Sequence, residues 1–393
     1  MTTLGHLSAR AERGVRYSLH DVVTIEVIAD EAVLAASVPA YLGTAVEAPV
    51  GGADIVVHLD PDFTASGLQL LGLNYAAYSA SDFYVLHWQT GRPIARLPLD
   101  ALGQRPHIEC HPDFLRHHLF HSILIVTLLA RGHVPLHASA FRYQGQGVLV
   151  MGWEKGGKTE TLLAFANRGA DYIGDEWVVL SPDGTSMFGL PFKVTIWDWQ
   201  LPYLDQLLPG VTGRDRVFFR AVRAIDRIHG RLEVSPLRRL PPVGALGRAL
   251  PTIRRQLRIR VQPETLFGER RVDGPTRLDR ALLVIGHDRT DVTVAPLEAT
   301  AIARRMPASN LFEHARLLEH YRAYRFAFPE RANELLDQLA ERTEASLAVA
   351  IDGTNAHEVT HPYPVSLDEL FDAVAPVVAG GDPRPGPVTP EGG

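Results

Sequence analysis

The segment that most constrains the fold of this chain is GWEKGGKT, residues 152–159, which follows the apolar run VLVM and precedes the helical run TETLLAFA. It matches the pattern GxxxxGK[ST], which binds phosphate where a strand precedes it and a helix follows it. Glycines let the backbone turn tightly so that its N–H groups point at an anion, and the helix adds its positive N-terminal end. The sequence therefore predicts a phosphate-binding loop, and the alternative is a glycine-rich turn that matches by chance.

The residues of this segment have distinct expected roles. We expect Lys158 to contact the β and γ phosphates and the Thr159 hydroxyl to bind Mg²⁺, which prefers hard oxygen ligands. Glu154 would repel phosphate if it pointed inward, so we expect it to point outward with Lys155 offsetting its charge. The predicted nucleotide-binding residues are Gly152, Trp153, Glu154, Lys155, Gly156, Gly157, Lys158, Thr159 and Glu160.

An acidic pair and a histidine accompany the segment. Asp175 and Glu176 lie between the apolar runs YIG and WVVL, where one carboxylate can hold Mg²⁺ and the other can accept a proton from an attacking hydroxyl. An acidic turn between strands is the alternative. His137 lies on the strand before VLVM, and a lone histidine on a strand is commonly a satisfied core residue. The predicted catalytic residues are His137, Lys158, Asp175 and Glu176, and the predicted metal ligands are Thr159, Asp175 and Glu176.

Three motifs, LHASAF, QGVLVMGWEKGGKTE and IGDEWVVL, together resemble the catalytic core of HPr kinase/phosphorylases, whose fold is shared with ATP-dependent phosphoenolpyruvate carboxykinases. The likeness covers about residues 130–200 and continues more weakly to about 300. It implies an α/β fold with a P-loop nucleotide-binding core of that type. It also implies that Lys158 and Thr159 serve phosphate and metal, that Asp175 supports metal and water, and that His137 lies near the γ-phosphate. Glu176 takes the family's proton-acceptor position, one methylene longer than the family's aspartate.

Other family positions have no clean counterpart. The Leu-Glu-Ile-Arg-Gly signature is replaced by FKVTIWDWQ, which leaves Asp198 or no residue as the substitute for its metal-side glutamate. The family's later arginine has no assigned counterpart, although a cluster of arginines precedes a TLFG that resembles the family's, and a solvated basic face is the alternative for any member. An arginine there would stabilise phosphoryl charge. The candidates are Arg254, Arg255, Arg258 and Arg260.

These departures make HPr an unexpected substrate, so we consider three functions. The first is an ATP- and Mg²⁺-dependent kinase that phosphorylates a hydroxyl, either of a serine-type peptide side chain or of a small metabolite. The second is a nucleotide-binding regulatory or assembly module without transfer activity. The third, a carboxykinase, requires substrate-binding arginines that the sequence does not identify. The sequence leaves open the acceptor, the phosphoryl donor and whether copies of the chain associate.

Composition limits the setting in which such a function would operate. The 393-residue chain is 46% hydrophobic, has a formal charge of -6 and contains one cysteine, Cys110. This acidity argues against nucleic-acid binding through bulk charge, and one cysteine excludes an intrachain disulfide framework, which favours a cytoplasmic location. The longest strongly apolar run, residues 123–130, is too short to span a membrane. His117, His118 and His121 include an i, i+4 pair, for which helix capping or solvent contact competes with zinc binding.

The order of patterns also predicts domain organisation. Short apolar runs with turn residues predict strands, and longer apolar periodicity predicts helices. The predicted parts are a β-rich N-terminal domain (1–105), a connecting helix (106–132), a kinase core (133–300) with an arginine-rich insertion (about 201–257), a helical C-terminal part (301–378) and a disordered tail (379–393).

Overall fold

The protein is a mixed α/β structure. A computed structural model describes residues 12–42, 44–46, 52–197, 200, 213 and 258–380, and these contain twenty-one strands and nine α-helices. The chain divides into two compact units. The first unit comprises Met1–His137, Val179–Met187 and Glu298–Gly353, and the second comprises Ala138–Val178, Phe188–Leu297 and Thr354–Gly393.

A nine-stranded sheet forms the centre of the first unit and confirms the predicted β-rich N-terminal region. Its order is β3-β1-β2-β4-β9-β8-β7-β6-β5. Along β2, fully buried residues alternate with partly buried ones, as period-two side-chain alternation requires. The strands are β1 Arg13–Leu19, β2 Val23–Ala29, β3 Thr44–Val46, β4 Ile55–Leu59, β5 Gln69–Leu71, β6 Ala76–Tyr78, β7 Phe83–Leu86, β8 Pro93–Arg96 and β9 His107–Cys110.

Six helices also belong to the first unit. They are α1 Glu31–Ser37, α2 His118–Ala130, α5 Ala299–Glu313, α6 Ala315–Ala327, α7 Glu334–Asp337 and α8 Leu339–Ala350. Helix α2 lies within the predicted connecting helix and ends just before Gly132, which has a left-handed φ of 81°. His117 caps α2 by accepting a hydrogen bond from the Leu119 amide, so capping explains this histidine. Cys110 is fully buried, as expected for a packed small residue.

A six-stranded sheet forms the centre of the second unit, in the order β13-β11-β12-β19-β21-β20. Its strands are β11 Ala138–Tyr143, β12 Gln146–Gly152, β13 Asp171–Gly174, β19 Arg280–His287, β20 Thr293–Pro296 and β21 Asn355–Pro362. The neighbours β12, β19 and β21 run parallel, so their carboxyl ends lie at one edge of the sheet. That edge is where ligands bind in parallel α/β sheets.

Two helices, α3 Lys158–Ala166 and α9 Leu367–Val378, pack in the hydrophobic core of this unit. Phe165 of α3 stacks on Phe141 with 4.6 Å between ring centroids and lies 4.9 Å from the ring of Phe371. This aromatic group fixes α3 against the sheet, and therefore fixes the helix end that follows the glycine-rich segment.

Shorter elements complete the described chain. They are β10 Val134–Leu136, β14 Val178–Leu180, β15 Ser186–Gly189, β16 Val194–Trp197, β17 Arg258–Val261, β18 Thr276–Arg277 and α4 Pro263–Phe267. The segment predicted as a helical C-terminal part is divided between the two units and also contains β21. Nearly all of the predicted arginine-rich insertion, and residues 381–393 of the predicted tail, lie outside the described residues.

Within the described ranges, no helix has both the length and the apolar character needed to cross a bilayer.

Candidate functional site

The loop between β12 and α3, residues 152–157, is shaped by glycines and is called the glycine loop below. Gly157 has φ 107°, and a Cβ atom there would lie 2.0 Å from His361 Nε2. A Cβ atom on Gly152 would lie 2.5 Å from the carbonyl oxygen of Val284. Both distances are far shorter than a van der Waals contact. The backbone path from the strand to the helix therefore requires glycine at these two positions. The strand and helix predicted on either side of the loop are present.

Lys158 lies at the first position of α3, and its ammonium group is held over the glycine loop. The side chain is 6% exposed, and Nζ donates to the carbonyl oxygens of Trp153 at 2.8 Å and Gly152 at 3.2 Å. The first amides of any α-helix have no intrahelical acceptor, and Gly157 caps α3 without a side-chain hydrogen bond. A positive charge and a helix N-terminus therefore lie together at the carboxyl end of β12.

His361 supports the glycine loop from β21. It is fully buried, with Nε2 2.9 Å from the Gly156 carbonyl oxygen and Nδ1 2.7 Å from that of Pro362. These two contacts hold the imidazole ring against the loop.

Three other predicted residues of the segment lie at its exposed side. Trp153 is 51% exposed. Glu154 and Lys155 form an ion pair at 3.5 Å with both side chains largely accessible, which agrees with the expectation that Lys155 offsets Glu154. Lys155 Nζ also lies 6.0 Å from the ring centroid of Trp197.

Glu160, by contrast, is buried within α3. Its Oε1 accepts a hydrogen bond of 3.0 Å from the side-chain amide of Gln200, and burial raises its pKa. The carboxylate is therefore already engaged by a protein amide, and we expect it to stabilise the helix start and not to contact a nucleotide.

Asp175 and Thr159, two of the predicted metal ligands, contact one another. Thr159 Oγ1 lies 3.2 Å from both carboxylate oxygens of Asp175, which is 2% exposed. Ser139, on the adjacent strand β11, donates to Asp175 Oδ1 at 2.5 Å. Burial, followed by the charge of Glu176, raises the pKa of Asp175 to about 7, although both hydroxyl hydrogen bonds act in the opposite direction.

Glu176 occupies a tight turn and has a different environment. Its φ of 67° is left-handed, which is uncommon for a residue with a side chain, and the Trp177 amide donates to the Asp175 carbonyl oxygen at 2.8 Å. Glu176 Oε1 accepts a 2.8 Å hydrogen bond from Thr195, and the side chain is partly accessible. Strained backbone of this kind concentrates at functional sites. The two adjacent acids therefore differ, since one is enclosed and the other is reachable.

His137 ends the first chain segment of the first unit, and its contacts described here lie within that unit. Its Nδ1 lies 2.8 Å from Glu313 Oε1, and its amide donates to Asn310 Oδ1 at 3.3 Å. Asn310 in turn donates to the Pro135 carbonyl oxygen at 2.9 Å. His137 is therefore a buried histidine with a carboxylate partner, which is compatible both with a core role and with a proton-carrying role.

The arginine candidates are only partly described. Arg254, Arg255, the side chain of Arg258 and the possible substitute Asp198 lie outside the described residues. Arg260 is exposed on β17 and pairs directly with Thr195 of β16. Directly opposed residues of an antiparallel pair project to the same face. Arg260 therefore shares a face with the threonine that binds Glu176.

Three residues of this arrangement were not among the predicted site residues: Ser139, Thr195 and His361. Ser139 lies in a motif that the sequence does highlight, whereas nothing local marks Thr195 or His361. Among the described residues, no group of three or more His, Cys, Asp or Glu is arranged to hold a metal ion. The predicted magnesium site, which combines a hydroxyl with carboxylates, remains a prediction.

Compared with protein-family models and with curated proteins, the sequence has no match. The geometry around the glycine loop is therefore what supports a function for this chain.

Proposed function

We propose that this chain is an ATP- and Mg²⁺-dependent kinase that phosphorylates a hydroxyl of a serine-type peptide side chain or of a small metabolite. The observation that carries the proposal is the 3.2 Å approach of the Thr159 hydroxyl to the Asp175 carboxylate, at the N-terminal turn of the helix that Lys158 begins. A lysine and a hydroxyl that follow one strand, with a carboxylate that follows another, form the combination that binds a magnesium–nucleotide complex in P-loop enzymes.

The glycine loop would bind the phosphates of ATP. Its backbone turns through the left-handed residues Lys155 and Gly157 before α3 begins, which suits inward-pointing amides. Lys158 now donates to two loop carbonyl oxygens, and polyphosphate oxygens would replace them as stronger, charged acceptors. His361 would support the loop from behind through its contact with the Gly156 carbonyl oxygen.

Thr159 and Asp175 fit Mg²⁺ by their chemistry, because a hydroxyl and a carboxylate within hydrogen-bond distance offer two hard oxygen ligands at one point. Bound Mg²⁺ would neutralise phosphate charge. Ser139 contributes by donating to the same carboxylate, which holds Asp175 in one orientation.

Glu176 would accept the proton of the acceptor hydroxyl. The hydroxyl oxygen would form a bond to the γ-phosphorus while the bond from that phosphorus to the ADP oxygen breaks, and the hydroxyl proton would pass to Glu176. Thr195 orients this carboxylate with a 2.8 Å hydrogen bond. Arg260, on the same face as Thr195, is our candidate for stabilising the charge of the transferred group.

Nucleotide affinity and phosphoryl transfer, measured separately, test the proposal. Purified protein would be titrated with ATP and Mg²⁺ and then incubated with γ-labelled ATP and panels of serine peptides and small alcohols. We expect Lys158→Ala to weaken nucleotide binding at least about 100-fold, from the loss of a charge-assisted contact with phosphate. We expect Glu176→Gln to retain binding and lose about 10²–10⁴-fold in transfer rate.

Lys193→Ala is the matched control, because Lys193 is an exposed lysine outside the glycine loop. It should leave both measurements unchanged. Nucleotide binding without any labelled product would favour the regulatory or assembly module. Absence of nucleotide binding by the wild-type chain would reject both functions.

A further inference from the structure

The first unit contains a cavity that the proposed kinase chemistry does not use. It has a volume of about 970 Å³ and is lined by residues of β7, β8 and their connecting turns, by the start of α2 and by α6. Sites for small organic ligands commonly fall in the range of about 300–1,000 Å³. Val85 and Leu86 are buried members of its lining, so the cavity is built against the core of the sheet.

The lining contains more arginines than carboxylates. Arg92, Arg116 and Arg316 all line the cavity, against the acidic residues Asp62 and Asp113. Asp113 Oδ2 lies 3.4 Å from Nδ1 of His111. Within the described part of the chain, none of the three guanidinium groups forms an ion pair with a carboxylate, and Arg116 donates only to the Ala36 carbonyl oxygen at 3.4 Å. Guanidinium groups that line one cavity and form no ion pair with its carboxylates favour an anionic ligand.

Neutral hydrogen-bonding groups lie beside these charges. Burial, and then the charge of Arg316, lower the pKa of His118. His320 Nδ1 lies 2.8 Å from the Arg316 carbonyl oxygen and 3.1 Å from the Tyr75 hydroxyl. Because the carbonyl can only accept, Nδ1 carries the proton, and the Tyr75 hydroxyl keeps its own hydrogen for another acceptor. Burial raises the pKa of Tyr75 to about 12, so this hydroxyl remains a donor at neutral pH.

Aromatic surface completes the lining. Trp88 is 72% exposed although its ring lines the cavity, and Phe63 and Tyr75 lie partly exposed in the same wall. Large aromatic side chains are normally buried because each covers about 150–250 Å² of apolar surface. Accessible rings beside arginines provide a surface on which a flat apolar group can stack.

We propose that this cavity binds a phosphate monoester that carries an aromatic ring, with the phosphate at the arginines and the ring against Trp88. A phosphate monoester is favoured over a carboxylate because it carries close to two negative charges at pH 7 and three acceptor oxygens. Three guanidinium groups and a tyrosine hydroxyl match that number of acceptors better than they match a single carboxylate.

Isothermal titration of the full chain with phenyl phosphate tests this site directly. We expect saturable binding at one site, weakened about tenfold or more by Arg316→Gln and by Arg92→Gln, since each removes a charged donor. Trp88→Ala should also weaken binding, whereas Trp88→Phe should largely preserve it. Arg322→Gln is the matched control, because Arg322 is an exposed arginine on the same helix α6 but outside the lining.

Four further ligands test the chemical class of the ligand. Inorganic phosphate and benzoate should each bind more weakly than phenyl phosphate, and equal binding of either would overturn the proposed ligand class. Lys158→Ala should leave phenyl phosphate binding unchanged, and loss of binding in that variant would move the site to the glycine loop. Titration of the Lys158→Ala variant with AMP and with O-phosphotyrosine would show whether the cavity prefers a nucleotide or a phosphorylated amino acid. Unchanged binding in both Arg316→Gln and Arg92→Gln would reject the cavity as the site.

Discussion

Substitution of Gly157 by alanine isolates the contact that shapes the glycine loop. Gly157 has φ 107°, and an added Cβ atom would lie 2.0 Å from His361 Nε2 and 2.7 Å from its Cε1. The left-handed backbone costs an L-residue about 1–2 kcal/mol. His361 is fully buried and must move to admit the methyl group, which breaks its 2.9 Å hydrogen bond with the Gly156 carbonyl oxygen.

The displacement of His361 adds a larger contribution than the backbone. Leaving a buried polar partner unsatisfied costs about 1–3 kcal/mol, and overpacking a well-packed site costs about 1–3 kcal/mol. We therefore expect Gly157→Ala to lower the free energy of unfolding by about 3–8 kcal/mol in total. If the loop relaxes instead of the histidine, the loss should appear as weakened nucleotide binding.

Gly169→Ala is the matched control, because Gly169 has φ 90° close to the other end of α3 and an added Cβ atom would have no neighbour within 4 Å. Urea unfolding should show the backbone cost alone in Gly169→Ala, about 1–2 kcal/mol. In a His361→Ala background the clash is removed, so Gly157→Ala should then cost no more than the control. Equal destabilisation by the two glycine substitutions in the wild-type background would refute the role assigned to His361.

Three further predictions concern stability. Phe165→Ala, which removes a fully buried ring stacked on Phe141, should cost about 3–5 kcal/mol in chemical unfolding. Asn333→Ala should lower the free energy of unfolding by about 2–4 kcal/mol, because this buried amide donates to three backbone carbonyl oxygens within residues 99–102. Asn333→Asp should be at least as destabilising, because a carboxylate cannot donate to these oxygens. Burial lowers the pKa of His314 to about 4 from 6.5, so its contribution to stability is complete above pH 6.5 and is lost as pH falls towards 4. Unfolding measured across that interval should lose up to about 3 kcal/mol from this residue, and His314→Gln should flatten the slope.

Local patterns in the sequence predicted the elements around the site better than they predicted its contacts. The strand, glycine loop and helix at residues 146–166 follow from apolar runs and glycine positions that all lie within a few residues of one another. The pairing of Asp175 with Thr159 was implied by the expected magnesium site, since both were predicted ligands. Local signals were sufficient for these features because the motif concentrates the relevant residues.

The partners of these residues depend on the order of strands, which no local pattern encodes. His361 contacts the glycine loop from 205 residues away because β21 lies beside β19, and β19 lies beside β12. The predicted helical C-terminal part gave no reason to expect this, since a strand rich in histidine and glutamate lacks an evident apolar run. Thr195, which contacts Glu176, likewise lies on a two-stranded ribbon whose second strand begins at Arg258.

The adjacent acids Asp175 and Glu176 illustrate how one turn can give two carboxylates different chemistry. The left-handed backbone at Glu176 turns the chain, so that Asp175 is enclosed by Ser139 and Thr159 while Glu176 remains partly accessible and is held by Thr195. Burial disfavours the ionised form of Asp175, and this raises the pKa of its carboxyl group. A metal ion bound to Asp175 would stabilise the ionised form. A base for an incoming hydroxyl must instead be reachable by the acceptor. Under the proposed kinase mechanism the division of roles therefore follows from the geometry of the turn, and exchanging the two roles would place the base where no acceptor could approach it.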